Sequence, residues 1–256
     1  MGSTPDSDPV DFGAADSSFV TSGAADSNPA ASSSPAVHCP LCLNSGSDDS
    51  LPLELWKTSS GERYRHCRRC DFVFLDPKQR LGRDAEHSRY LLHNNSPEDE
   101  RYVRYLRTFA GEALFPYLKP PARILDFGSG PAPVFAGLLR GEGYTVDIYD
   151  PFFAPGKAWE RELYDGVTSI EVAEHLFSPL EELQTLSRVL RPGGILAMRT
   201  LLHYSDFDRF DSWWYRKDPT HVSFYSQRTF ETAAELIGME LVEVKKGRSV
   251  VLRRPW

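Results

Sequence analysis

Several features are missing from this 256-residue chain, and each absence removes a class of reading. There is no run of about 18 apolar residues, so no membrane-spanning helix is expected. The N-terminus has no basic stretch leading into an apolar core, so no secretory leader is expected and the anticipated location is cytoplasmic. Residues 1–36 hold no Lys or Arg, only Asp6, Asp8, Asp11, Asp16 and Asp26. The net charge is −7, so the remainder carries only −2 and the overall acidity says little about partners. No Gly-Lys-Ser/Thr is present, which removes the phosphate-loop nucleotide binders. Cysteine is scarce, with four residues in two pairs.

What is present suits one large α/β domain plus a small module. Residues 1–36 are rich in Ser, Ala, Asp, Gly and Pro, and Gly13–Ser17 recurs as Gly23–Ser27. Such a segment cannot bury enough apolar surface to offset its ordering entropy, so a disordered tail is expected there. The cysteines follow as Cys39-Pro-Leu-Cys42 and Cys67-Arg-Arg-Cys70. Two such knuckles about two dozen residues apart suit a four-thiolate Zn²⁺ site, closed and therefore structural. Two disulfides would be out of place without a secretion signal, while the spacing leaves an iron–sulfur cluster open. His38 and His66 neighbour the cysteines and are expected to be solvated. A zinc ribbon over 37–76 follows, with Tyr64, Phe72 and Phe74 alternating along its strands. Lys57, Arg63, Arg65, Arg68 and Arg69 make it locally basic, which permits contact with RNA phosphates. The plainer reading is a solvated face pairing with Asp71 and Asp76.

Residues 77–97 are mostly polar and are expected to be a linker. From Glu98 to Phe115, apolar residues at three- and four-residue spacing predict an amphipathic helix, started by Ser96-Pro97 and stopped by Pro116. Its aromatic stripe is expected to be core. The stretch around which the chain is organised comes next, Arg123-Ile-Leu-Asp126-Phe-Gly128-Ser129-Gly130 and then Val134–Leu139. A strand, a glycine turn and a helix form the first unit of a doubly wound sheet. A dinucleotide fingerprint would need a third glycine where Pro133 stands.

The Asp-x-Gly-x-Gly pattern resembles motif I of class I S-adenosylmethionine-dependent methyltransferases. Tyr144–Tyr149 predicts the second strand, ending in Asp150, an acid placed to take ribose hydroxyls. Pro151–Tyr164 is too short for a full third strand and helix. The acid that in this family follows the third strand and meets the adenine amine has no counterpart here. Either the sheet edge is trimmed or Phe152 and Phe153 cover the adenine differently. A further strand leads into Glu171-Val-Ala-Glu174-His175-Leu, then Ser178-Pro179 with Glu181 as a predicted capping box. Leu190-Arg-Pro-Gly-Gly194 ends that helix. In this order the motifs look like the group that includes ubiquinone-type O-methyltransferases, across roughly 98–253. The resemblance implies a seven-stranded Rossmann-like methyltransferase sheet, S-adenosylmethionine as donor, and donor contacts from Asp126, Gly128, Ser129, Gly130, Asp150 and Glu171 in a domain over 98–256.

The loop over 201–225 is crowded with aromatics, including Trp213, Trp214 and Tyr215. It follows a strand end, so it is expected to be an acceptor wall or lid, or else a packing element over the sheet edge. Ser226 caps the next helix, and Met239–Val244 with Ser249–Leu252 read as a closing antiparallel hairpin. Methyl transfer is an in-line displacement in which orientation and water exclusion dominate. A hydroxyl or amine acceptor also needs a base, for which His221 is the first candidate and Glu174 the second. The expected function is methyl transfer to a small-molecule acceptor. Alternatives are an RNA methyltransferase using the basic ribbon as reader, and a non-catalytic scaffold that keeps the donor fold.

Overall fold

The computed structural model describes residues 38–45, 53–92 and 95–256. The tail expected over 1–36 lies outside the described residues, as do 46–52 of the expected ribbon and His93 and Asn94 of the expected linker. Among the described residues, no helix is long and apolar enough to cross a membrane.

A small antiparallel sheet comes first: β1 (Leu53–Lys57), β2 (Arg63–Cys67) and β3 (Phe72–Leu75). β3 is buried on both faces. Phe72 and Phe74 enter one core with the cysteines, while Val73 and Leu75 enter another with Phe210, Tyr215 and Phe224. This is the alternation a strand imposes. The sheet's fourth strand, β8 (Ser223–Phe224), comes from the far aromatic loop. Val73 pairs with Phe224 and Phe74 with Ser223.

The stretch expected to be a linker holds a helix, α1 (Arg83–Tyr90). It buries no residue fully, so it lacks the apolar periodicity that would reveal it. Asp84 and Glu86 in its first turn and His87 and Arg89 in its last complement the helix dipole. α2 (Glu100–Phe109) starts later than expected, because the Asp99 carboxylate takes the N–H groups of Arg101 and Tyr102. It continues as a π-helical turn over Ala110–Leu114.

The large sheet contains β4 (Arg123–Phe127), β5 (Thr145–Tyr149), β6 (Tyr164–Ile170) and β7 (Leu190–Arg199), all parallel, closed by antiparallel β9 (Glu240–Lys245) and β10 (Ser249–Arg253). The order is β5-β4-β6-β7-β10-β9, with α3 (Val134–Gly141) joining β4 to β5. The expected doubly wound α/β sheet and closing hairpin are therefore present. Among the described residues the sheet has six strands rather than seven, because only a short 3₁₀ turn, Ala158–Arg161, occupies the space of the third strand. The trimmed edge is β5. β4 leads outward to β5 and the chain then returns to β6 on the other side of β4, so a crevice opens above those strand ends.

α4 (Pro179–Arg188) begins at Ser178 and Pro179, but the Ser178 side chain makes no capping bond. The capping box lies instead at α6 (Gln227–Ile237), between Ser226 and Thr229. The 201–225 loop contains α5 (Phe207–Ser212) as well as β8.

Because β3 and β8 share a sheet, a chain cut to residues 98–256 exposes Phe224, Tyr225 and Phe230, each at most 1% exposed in the whole protein. We expect this fragment to show no cooperative thermal transition by circular dichroism, where the full chain shows one. A fragment that melts cooperatively would show that the two parts fold separately.

Candidate functional site

Cys39, Cys42, Cys67 and Cys70 converge in one buried corner. Sγ–Sγ distances are 3.6 Å for Cys39–Cys70 and 3.6 Å for Cys42–Cys67. Tetrahedral thiolates about 2.3 Å from Zn²⁺ sit roughly 3.8 Å apart, so the spacing fits that ion. The two knuckles are built alike. Leu43 and Asp71, each just after a second cysteine, have φ of 60° and 60°, and each donates its N–H to the carbonyl of the first cysteine. The carbonyl distances are 2.9 Å and 2.7 Å. His38 is exposed, as expected, but His66 is not solvated. It is buried, with its ring nitrogens 3.2 Å from Glu54 and 2.7 Å from Asp71. Two of the ribbon cations are paired within the module, Arg68 with Glu54 and Arg63 with Asp76.

A cavity of about 400 Å³ opens over the ends of β4, β5 and β6 and extends toward β7 and β10. Its inner end is the glycine turn. Gly128 and Gly130 have φ of 82° and 66°, and a Cβ on Gly128 would lie 2.2 Å from Val172 Cγ2. Positive φ and this close approach both require glycine. Gly128 and Ser129 donate to the Tyr149 carbonyl, which ties the turn to the end of β5. Asp150 accepts from the backbone N–H groups of Gly130, Phe152 and Phe153 at 3.0, 2.9 and 3.0 Å. It thus fixes two loops at once. With roughly four acceptor sites on a carboxylate, capacity remains for a ligand hydroxyl. Ser129 Oγ is buried without a hydrogen-bond partner. Asp126 is buried and accepts from Thr168 Oγ1 at 3.1 Å. Burial lifts its carboxyl from the ordinary range to about 7, and the charge of Asp150 adds to this.

The end of β6 supplies a polar cluster. Glu171 has φ of 52° and accepts from the hydroxyls of Tyr105 and Tyr215. Tyr215 is also 2.5 Å from Glu174. Glu174, expected as a second base, is fully buried and does not line the cavity. Burial, and then the charge of Glu171, pushes its carboxyl well above the usual range, which favours the protonated form. His175 and His221 do line the cavity, their rings 4.8 Å apart. His221 Nδ1 lies 2.7 Å from the Tyr215 carbonyl and His175 Nδ1 3.0 Å from that of Thr220. A carbonyl only accepts, so Nδ1 carries the proton and Nε2 is the basic nitrogen of each neutral ring.

The aromatic loop is divided between cavity and core. Trp214 and Tyr215 line the cavity, while Phe210 and Trp213 pack on the small sheet. Other wall residues went unrecognised in the sequence. Tyr102 and Tyr105, expected as core, pack against it and also line the cavity. α1 contributes Glu86, Arg89 and Tyr90, held by an Arg89–Asp218 ion pair at 2.8 Å and by stacking of His87 on Phe152 at 5.0 Å. Arg199 and Arg248, at the ends of β7 and β10, carried no motif at all.

Gly128→Ala should weaken S-adenosylhomocysteine binding at least tenfold in calorimetry while the protein stays folded, because a left-handed alanine against Val172 costs about 1–3 kcal/mol and shifts the turn. Unchanged affinity would remove the turn from the donor site.

Comparison with known proteins agrees with this architecture. The family described as a methyltransferase domain matches residues 99–244, more than half of the chain. Among curated proteins, the ubiquinone biosynthesis O-methyltransferase of Roseobacter denitrificans is 32% identical over 112 residues, covering 41% of this chain and 44% of its own length. That of Dinoroseobacter shibae is 26% identical over 162 residues, covering 60% of each. The chain thus spans about half the length of these relatives. A solved methyltransferase-like structure from Bacillus halodurans is 18% identical, covers 60% of this chain and 100% of its own, and has a TM-score of 0.43. With the sheet topology and the family match together, the chain belongs to the methyltransferase-domain family.

Proposed function

We propose that the protein transfers a methyl group from S-adenosylmethionine to a small-molecule acceptor, and that the four-cysteine corner holds a structural Zn²⁺. The observation that carries the reading is one cavity that contains both the glycine turn and an aromatic wall. A walled cavity suits a compact acceptor better than a polymer strand. The donor brings its own leaving group, so the chain's task is to bind, orient and exclude water.

In this reading Asp126, Gly128, Ser129, Gly130 and Asp150 hold the donor. Ser129 Oγ, otherwise unsatisfied, finds its partner there. Ionised Asp126 takes the donor's ammonium, and Asp150 takes a ribose hydroxyl. Phe152 and Phe153 cover the adenine in place of a third-strand acid. Glu171 orients the reacting end through Tyr105 and Tyr215. His221 is the base, its Nε2 accepting the acceptor's proton. Glu174 is not a base in this scheme. Protonated, it anchors the Tyr215 hydroxyl, and Tyr215 in turn fixes the His221 tautomer.

The pH dependence follows from Asp126. Its raised carboxyl is neutral below about 7, so ionising it for the donor costs binding energy at lower pH. S-Adenosylhomocysteine affinity should rise roughly tenfold from about pH 6 to 8 and then level, and Asp126→Asn should bind more weakly with a flat profile. The sign for stability is the reverse. A carboxyl raised on folding loses stability as pH climbs from its unfolded value through about 7, and Asp126→Asn removes that loss. A flat wild-type binding profile would overturn the role of Asp126. The reaction itself is tested with methyl-tritiated S-adenosylmethionine in extract lacking this chain. Label should enter a small product, with His221→Ala slower by about 10²–10⁴-fold. Label in nuclease-sensitive polymer would refute the small-molecule reading.

A further inference from the structure

The cavity has unlike ends. The donor turn after β4 gathers carboxylates: Asp126, Asp150 and, one strand over, Glu171. The opposite end, where β7 and β10 meet, gathers cations. Arg199 lies 3.2 Å and Lys246 3.4 Å from the single carboxylate of Glu112, and the charge of Arg248 also bears on that carboxylate. Three cations thus gather around this one carboxylate. Ser249 Oγ, at 3.0 Å, further occupies the same Glu112 carboxylate. Arg248 lines the cavity, and its Nε is buried without a hydrogen-bond partner. A buried guanidinium N–H left unmatched costs free energy unless a ligand supplies an oxygen.

The strand order places this corner. β10 lies two strands beyond β6 and three beyond β4, with Ser249 opposite Arg199 so that both stand at the cavity end of the sheet. At about 4.8 Å per strand, Arg248 is roughly 10 Å from the end of β6 and roughly 14 Å from the glycine turn. Tyr105, Trp214 and Tyr215 line the stretch between.

Resting on the methyl-transfer reading above, we propose that the acceptor carries an anionic group, a carboxylate or phosphate, anchored by Arg248 roughly 10 Å from the β6 end, where the methyl group is received. The same polarity serves both ligands. The acidic end favours the donor's positive charge, and the basic end draws the acceptor's negative charge to the far wall. Arg248 is therefore a specificity residue that sets which end of the acceptor enters first. A guanidinium recognises carboxylate or phosphate through directed N–H bonds, which lysine matches only as a point charge.

The test uses full-length protein saturated with S-adenosylhomocysteine. Phenyl phosphate and benzoate are titrated calorimetrically against the uncharged phenol and benzyl alcohol. The wild type should bind the anions at least about tenfold more tightly, Arg248→Met should reduce them to the level of the neutral probes, and Arg248→Lys should keep part of the preference. Equal binding of the two classes, absent binding of both, or a preference that survives Arg248→Met overturns the proposal. The donor's own carboxylate is the other source of such an anion. If Arg248→Met weakens S-adenosylhomocysteine and leaves the probe preference intact, the guanidinium serves the donor and the proposal fails. A wild type that does not bind S-adenosylhomocysteine refutes the methyl-transfer reading instead, and the probe titration is then decided on the donor-free protein.

Discussion

Two residue pairs, Val73 with Phe224 and Phe74 with Ser223, join the beginning of the chain to the loop that walls the cavity. The rest of the structure depends on this short pairing. It puts β8 where the small sheet ends, and the next bonds extend it. The Leu75 N–H donates to the Val222 carbonyl, and the Val222 N–H donates to the Glu174 carbonyl. The cysteine corner, the aromatic wall and the end of β6 are thus linked through backbone bonds. Asp71, next to Cys70, adds a buried junction. Its carboxylate meets His66 and Ser205, and its carbonyl accepts from His203 at 2.8 Å. Burial lowers His203 to about 4, so it is neutral there and serves as a hydrogen-bond donor rather than a charge.

The large sheet sets the other constraint. A parallel sheet whose strand order reverses at β4 leaves a crevice, and glycine at 128 lets Val172 close in on the turn. Loss of the third strand removes the usual flank. The chain fills that flank from its own N-terminal side, with α1 packing His87 and Tyr90 on Phe152. The covering helix is held to the aromatic loop by Arg89 and Asp218, both largely shielded, so the loop and the cover are positioned together. Within the cavity, Glu174 and Glu171 divide their roles by environment. One is fully enclosed, which raises its carboxyl, while the other lines the cavity between two tyrosine hydroxyls.

The glycine turn, the acids after two strands and the closing hairpin were legible because local chemistry dictates them. A turn that needs positive φ selects glycine, and alternating apolar residues select strands. The four cysteines were legible for a similar reason, since thiolate spacing reports the corner directly. The union of the two sheets was not. Ser223 and Phe224 form a strand of two residues, too short to leave a period, and their partner lies far away in sequence. α1 escaped notice because it buries nothing fully. Tyr102 and Tyr105 serve core and cavity together, and a helical stripe looks the same whichever it faces. Glu174 looked like a base because sequence does not show that a carboxyl is enclosed. Arg199 and Arg248 sit at strand ends without a motif, and only the strand order places them on one wall.

The most direct test of this account is amide hydrogen exchange on the full chain with and without the Zn²⁺ proposed for the cysteine corner. Removing the metal should strip protection from Leu75 and Val222 and extend the loss to His203 and Tyr225, because the cysteine corner and the cavity wall share one sheet. Protection lost only near the cysteines, with Val222 and Tyr225 unchanged, would contradict the claim that the small sheet holds the wall in place.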